Sequence, residues 1–181
     1  STTFSKKLAE LEPDFVDEFW KNLFEFEMYW SVARGIVNNS FSFPDLENEA
    51  FSIRGFYHPS VKNAVRNNLS IDTNIVLLTG PNMSGKSTIL KALSLCVYFA
   101  HIGIAVPAES CRIPYFESFL FSINVNDDIK NGYSGFMNEI VGLKQILLDL
   151  TSNHRCFALF DELFNGTNID DAQELMRITI N

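Results

Sequence analysis

The stretch TGPNMSGKST, Thr79 to Thr88, follows directly on the apolar run Ile75 to Leu78 and precedes a second apolar stretch that begins at Ile89. Gly80 to Ser87 fits the pattern G-x-x-x-x-G-K-[ST], with a strand expected before it and a helix after it, the setting in which that pattern carries meaning. The glycines let the backbone curl so closely that consecutive N–H groups and the N-terminus of the following helix face one anion. Lys86 then reaches the terminal phosphates and Ser87 offers a hydroxyl to Mg²⁺. Pro81, Asn82, Met83, Ser84, Gly85 and Thr88 complete the lining of a site for ATP or ADP. The plain alternative is a glycine-rich turn, capped by Ser87, that binds nothing.

A phosphate loop needs a second group on the metal side, a carboxylate at the end of a neighbouring strand. CFALFDE, residues 156–162, supplies Asp161 and Glu162 after four apolar residues. Asp161 is expected to hold Mg²⁺, directly or through water. Glu162, one residue nearer the γ-phosphate, is placed to orient and deprotonate the attacking water. The alternative is an acid pair that caps a strand end or a helix start. No NKxD stretch of the GTPase kind is present, and the DE doublet points to ATPases of the ABC type, whose sites a second subunit completes. Their LSGGQ segment is absent. NDDIKNGYSGFMNEI, residues 126–140, stands in its place, with Ser134 and Gly135 at the start of an amphipathic helix. Asp127 and Asp128 either position metal or water near the γ-phosphate or cap that helix.

Around these motifs the chain alternates helical and strand-like patterns. Leu8, Leu11, Phe15, Phe19, Leu23, Phe26 and Trp30 recur at threes and fours, and Glu12, Pro13 and Asp14 suit a helix start, so residues 1–38 read as a helical arm. NNSFSFPDLEN, from Asn38, breaks the helical period and marks a boundary, leaving 39–181 as the main domain. Phe51, Ile53 and FYHP at 56–59 lie in short strand-like segments. IVLL at 75–78 and CFALF at 156–160 read as interior strands. Ile89 to Ala100, apolar on nearly every face, reads as a helix sandwiched inside an α/β domain, and Phe136, Ile140, Leu143, Leu147 and Leu150 mark a second helix. The alternation predicts an α/β fold with a mainly parallel sheet.

Composition limits the partners. The chain of 181 residues has 14 Lys and Arg against 22 Asp and Glu, a net charge of −8, so it exerts no general pull on a phosphate backbone. Arg34, Arg54, Lys62 and Arg66 are scattered and read as solvated surface. The 17 phenylalanines, without a basic stripe beside them, read as packing rather than base stacking. Cys96, Cys111 and Cys156, odd in number and with no CxxC pair, fit neither a disulfide framework nor a zinc site and suit a reducing, cytoplasmic setting. The longest charge-free stretch, Ala92 to Ala108, is broken by His101, Gly103 and Pro107 and is short for a membrane helix. STTFSKKLAE has no apolar core like that of a signal peptide, and the missing initiator Met points to a cut segment. His58 reads as a turn residue, with a place in the base pocket as its alternative.

TGPNMSGKST, VPAES, NDDIKNGYSGFMNEI and LFDELFNGTN, in this order, resemble the ATPase domain of the MutS family over roughly residues 20 to 181, and FYHP is similar to that family's RHP segment. The resemblance implies an ABC-type P-loop NTPase fold, ATP hydrolysis with Mg²⁺, and ATP-driven pairing of two such modules, identical when full length. DNA is then served through domains outside this chain. It also implies that Ser134 contacts the γ-phosphate bound to the partner subunit and that Asn165 to Asn168 form the loop crossing the interface. Three positions depart from the family pattern: Ser84 and Gly135 replace a glycine and a threonine, and Asn165 stands where arginine is usual. DELFNGTN is similar to a branch lacking the mismatch-reading domain. His58, His101 and His154 all precede Asp161, so the family's switch histidine lies beyond this chain. Two other readings fit the same residues: a different ABC-type chromosome ATPase, or an interaction module that senses nucleotide without turnover.

Overall fold

The structure, a computed structural model, describes residues 13–123, 135–152 and 154–161. The chain divides into two compact units between Ser40 and Phe41.

The described part of the first unit is one helix, α1 (Pro13–Asn39), with Asp14 in its first turn. Proline at the first helical position sacrifices no hydrogen bond, and the acid faces the positive end of the helix dipole. At the other end Asn39 Nδ2 donates to the Gly35 carbonyl at 2.8 Å, and Ser40 leaves the helix in the left-handed region at φ 55°. The apolar period persists as stacked pairs one turn apart, Trp20 on Phe24 at 5.8 Å and Phe26 on Trp30 at 6.2 Å. Large side chains stay exposed, Phe24 at 61% and Trp30 at 57%. Leu8 and Leu11 lie outside the described residues.

The second unit holds the core. β1 (Glu47–Phe56), β2 (Asn67–Ile71) and β3 (Ser110–Pro114) form an antiparallel sheet in the order β2-β1-β3. Phe51 and Ile53 point into the core while Arg54 is exposed, the period-two burial of a sheet with one wet face. Ile53 sits opposite Leu69 on one side and Cys111 on the other. Onto this face packs α2 (Lys86–His101), which buries Ala92, Leu93, Cys96, Val97 and Ala100. That spacing covers one helical face, flanked by half-buried Ile89, Leu90 and Phe99, with Tyr98 exposed. Among the described residues the helix meets both this sheet and a second layer, since Leu159 joins this cluster and Tyr98 lies edge-on to the Phe119 ring at 6.3 Å. Cys96 and Cys111 are free thiols in this core. Burial pushes the Cys111 thiol up to about 12 and raises Cys96 further, with Cys111 beside it adding to the effect.

A second layer follows. β4 (Ser118–Ser122) and β5 (Cys156–Phe160) pair in parallel from Ser118 opposite Cys156 to Ser122 opposite Phe160. Between them in sequence comes α3 (Gly135–Thr151), a helical crossover of the kind parallel neighbours require. It buries Leu143 and Ile146. A Cβ at Gly142 would stand 2.7 Å from Leu120 Cδ2, so the missing side chain is what lets α3 approach β4. Leu147 and Leu150, expected inside, are about half exposed at 52% and 51%. Phenylalanines join the two sheets: Phe157 of β5 stacks on Phe51 of β1 at 5.6 Å and meets Phe116 and Phe121. His101 closes α2 against the β3–β4 connection. Its Nδ1 bonds the Val97 carbonyl at 2.7 Å, and its Nε2 accepts the Phe116 N–H at 2.9 Å.

Two expectations need correction. The unit is α/β, but its larger sheet is antiparallel, and among the described residues only β4 and β5 run parallel. The alternation through AFSIRGF already favours antiparallel pairing, whereas fully buried parallel strands read as continuous apolar runs. Ile75 to Leu78 form no strand. These residues are exposed at 51%, 53%, 70% and 45%, in order. Apolar composition signals a segment that fits a pleated, buried surface, but a strand also needs a neighbour with free backbone groups. Among the described residues β4 and β5 pair with each other and nothing pairs with 75–78.

The core should therefore respond where the sheet and α2 meet. Ile53→Ala, at a fully buried position, is expected to destabilise the second unit by about 2–5 kcal/mol. Phe24→Ala on α1 should change stability by no more than about 0.5 kcal/mol, as exposed substitutions do. Urea midpoints of the two variants check this.

Candidate functional site

The segment from Thr79 to Thr88 is a turn that runs into the first turn of α2. The Ser84 N–H donates to the Pro81 carbonyl at 3.3 Å, closing a tight loop. Lys86 starts the helix, and its Nζ crosses back to the carbonyls of Gly80 at 2.9 Å and Pro81 at 3.0 Å. The first helical hydrogen bond runs from the Ile89 N–H to the Gly85 carbonyl at 2.9 Å. No side chain caps this end. The amides of Lys86, Ser87 and Thr88 thus lack intrahelical partners by position and face outward with the positive end of the helix dipole.

Two residues of this loop adopt left-handed backbone. Gly85 has φ 93° and open space where a Cβ would lie. Met83 has φ 63°, a conformation that costs an L-residue with a side chain about 1–2 kcal/mol. Asn82, Met83, Gly85, Lys86, Ser87 and Thr88 line a hollow of about 310 Å³. A larger hollow, about 470 Å³, is bordered by Phe43, Pro44, Leu46, Ala100 and Gly103 together with Asp45 and Glu47. Its two carboxylates and lack of a cation make it a poor place for an anion. The smaller one is bordered by a lysine, two hydroxyl residues and the uncapped start of α2, which carries no acid in its first turn. The loop therefore has the chemistry of an anion site.

Asp161 follows β5 directly, and its N–H donates to the Ser122 carbonyl at 2.8 Å, which extends the pairing with β4. It thus stands at the carboxyl end of the parallel pair, the side on which open α/β sheets bind ligands. Leu159, two residues earlier, is buried in the same core as Leu93 and Val97 of α2. Gly80 to Thr88 are brought together on one loop and helix start; Asp161 is fixed on a separate element tied to the same core. Glu162, Ser134, Asp127, Asp128 and residues 165–168 lie outside the described residues.

The remaining polar candidates have local duties. His58 Nδ1 accepts the Ser60 N–H at 3.3 Å in the turn after β1, and His154 Nε2 lies 3.4 Å from Glu117. Arg66 is not merely solvated: it donates to the Gly55 carbonyl at 3.3 Å, pairs with Glu109 at 3.5 Å and covers the Tyr57 ring at 4.8 Å. The left-handed turn at Met83 has no sequence signal, because methionine is not a residue that prefers it. No group of three or more metal-ligating side chains occurs among the described residues, and none of their helices is long and apolar enough to cross a membrane.

Comparison with known proteins agrees with the resemblance to the MutS family. The family described as MutS domain V matches residues 76–179. DNA mismatch repair protein MutS of Thermus thermophilus is 34% identical over 166 residues, covering 90% of this chain and 20% of that protein. Its namesake in Fusobacterium nucleatum is 33% identical over 150 residues (78% and 16%), and that of Clostridioides difficile is 34% identical over 172 residues (90% and 18%). The chain spans about a fifth of the length of these relatives.

The loop geometry makes its own prediction. Gly85→Ala forces a Cβ into left-handed backbone and should lower stability by about 1–2 kcal/mol, although the space is open. Thermal or urea unfolding that matches the wild type would show that the loop leaves this conformation freely.

Proposed function

The chain belongs to the MutS family, and we propose that it is the nucleotide-binding and ATP-hydrolysing segment of a protein acting in DNA mismatch repair or a related DNA transaction. The observation that carries this reading is the loop at residues 80–88, where Lys86, Ser87 and Thr88 at the uncapped start of α2 border one hollow and the Lys86 ammonium bridges back over the loop to the Gly80 and Pro81 carbonyls. In this P-loop arrangement the backbone from Gly80 to Gly85 wraps the phosphates. Lys86 neutralises the terminal ones, and Ser87 with Asp161 holds Mg²⁺. Mg²⁺ supplies charge neutralisation across the phosphate oxygens.

Hydrolysis needs a base and a trans contact. Glu162, next to Asp161, orients and deprotonates water, and Ser134, just ahead of α3, meets the γ-phosphate held by a second copy. A serine at a helix N-terminus brings a hydroxyl and free amides to an anion. ATP then joins two modules and hydrolysis releases them. With a net charge of −8 the chain is poorly suited to hold DNA itself. DNA contact is assigned to the remainder of a longer protein, with α1 as the connecting arm. A second reading, nucleotide binding without significant turnover, is opposed by Glu162 and kept open by Gly135 and Asn165, which occupy positions the resemblance assigns to trans contacts.

Calorimetry with MgATP tests the first reading. Lys86→Ala should weaken binding about a hundredfold or more, the scale of losing a charge-assisted phosphate contact. Equal affinity of the two proteins would falsify the phosphate-loop assignment. In the same assay Glu162→Gln should keep ATP affinity but lower turnover by about a hundredfold or more. Turnover absent from the wild type as well selects the second reading.

A further inference from the structure

We infer that the Met83 side chain covers the phosphates held by the loop, shielding them from water. The inference rests on the nucleotide-site reading above and adds to it a role for a side chain, where the motif gives only the loop backbone.

Met83 holds left-handed backbone at φ 63°, although glycine adopts it freely and does so at Gly85. The loop keeps it there: the Pro81–Ser84 turn closes on either side, and Lys86 Nζ bridges to Gly80 and Pro81. Strained residues of this kind collect at ligand clamps, where the surroundings hold them in place. The side chain itself is fully exposed, at 105% of its reference area. Core packing therefore does not account for a methionine at this position. It stands on the wall of the hollow that Lys86, Ser87 and Thr88 also line, at the phosphate end of the proposed site.

An unbranched thioether suits a cover. It has three rotatable bonds, needs no hydrogen-bond partner and adapts to irregular shapes. Water driven from the phosphates lowers the local dielectric, so Lys86 and the loop amides attract the anion more strongly. A glycine at 83 keeps the backbone but leaves this side open. Asparagine, which also tolerates left-handed backbone, keeps the conformation without the apolar chain.

Exposure of the sulfur gives a direct readout. Dilute hydrogen peroxide transfers one oxygen to the thioether, giving sulfoxide and water, and mass spectrometry follows Met83 with Met28 of α1 as internal reference. The experiment uses the whole chain at a concentration where light scattering gives the monomer mass. Saturating MgATP is expected to slow Met83 oxidation about fivefold or more while leaving Met28 unchanged. Calorimetry should show Met83→Leu within about twofold of wild-type affinity, and Met83→Asn and Met83→Gly weaker by about tenfold. Equal oxidation rates with and without MgATP overturn the cover. So does wild-type affinity in Met83→Asn, or protection that appears only as a dimer forms, which assigns the cover to a second copy. A wild type that binds no MgATP overturns the nucleotide site itself, a result distinct from tight binding with Met83 unprotected.

Discussion

The start of α2 leaves backbone amides that the fold itself does not satisfy. Gly85 supplies the left-handed turn into the helix but no side-chain cap, and the amides of Lys86, Ser87 and Thr88 come before the first intrahelical bond. Most helices mend this with a serine, threonine or aspartate one residue earlier. Here the chain places a lysine, two hydroxyls and a tight loop around the opening instead. Everything behind that end is firmly held. Ala92, Leu93, Cys96, Val97 and Ala100 press into the antiparallel sheet, and His101 ties the far end to Phe116. A helix packed into the core and open at its N-terminus presents the positive end of its dipole in an acidic chain.

The second layer is anchored to the same core. Phe51 of the antiparallel sheet stacks on Phe157 of the parallel pair, and Leu159 joins the cluster that contains Leu93 and Val97. Asp161 thus comes off a strand whose position is set by the packing that also sets α2. The proposed division of labour, phosphates at the loop and metal between Ser87 and Asp161, uses two elements that one core holds in place.

Much of this is written in local sequence. The helix after the loop, the amphipathic period of α3 and the strand at CFALF follow from patterns a few residues long, and Pro13, Asp14 and the Asn38–Ser40 break bracket α1. What was not legible depends on pairing and backbone strain. IVLL carries the apolar content of an interior strand, yet its exposure follows from which edges are free to pair, which no window of four residues contains. Strands alternating with helices predict parallel pairing, whereas the direction of the larger sheet follows from the alternation of Phe51, Ser52, Ile53 and Arg54. Arg66 looked like a lone surface cation because Tyr57, Glu109 and Gly55 reach it only through the fold. At the site, the Lys86 and Ser87 spacing was fully readable, whereas the turn at Met83 was not.

The central claim is that these amides bind phosphate, and amide hydrogen exchange reads them individually. With saturating MgATP the amides from Gly85 to Thr88 should exchange at least about tenfold more slowly, as groups that gain a partner do, while those of α1, in the other compact unit, stay unchanged. Unchanged exchange at Gly85 to Thr88 under nucleotide would contradict the account at its base.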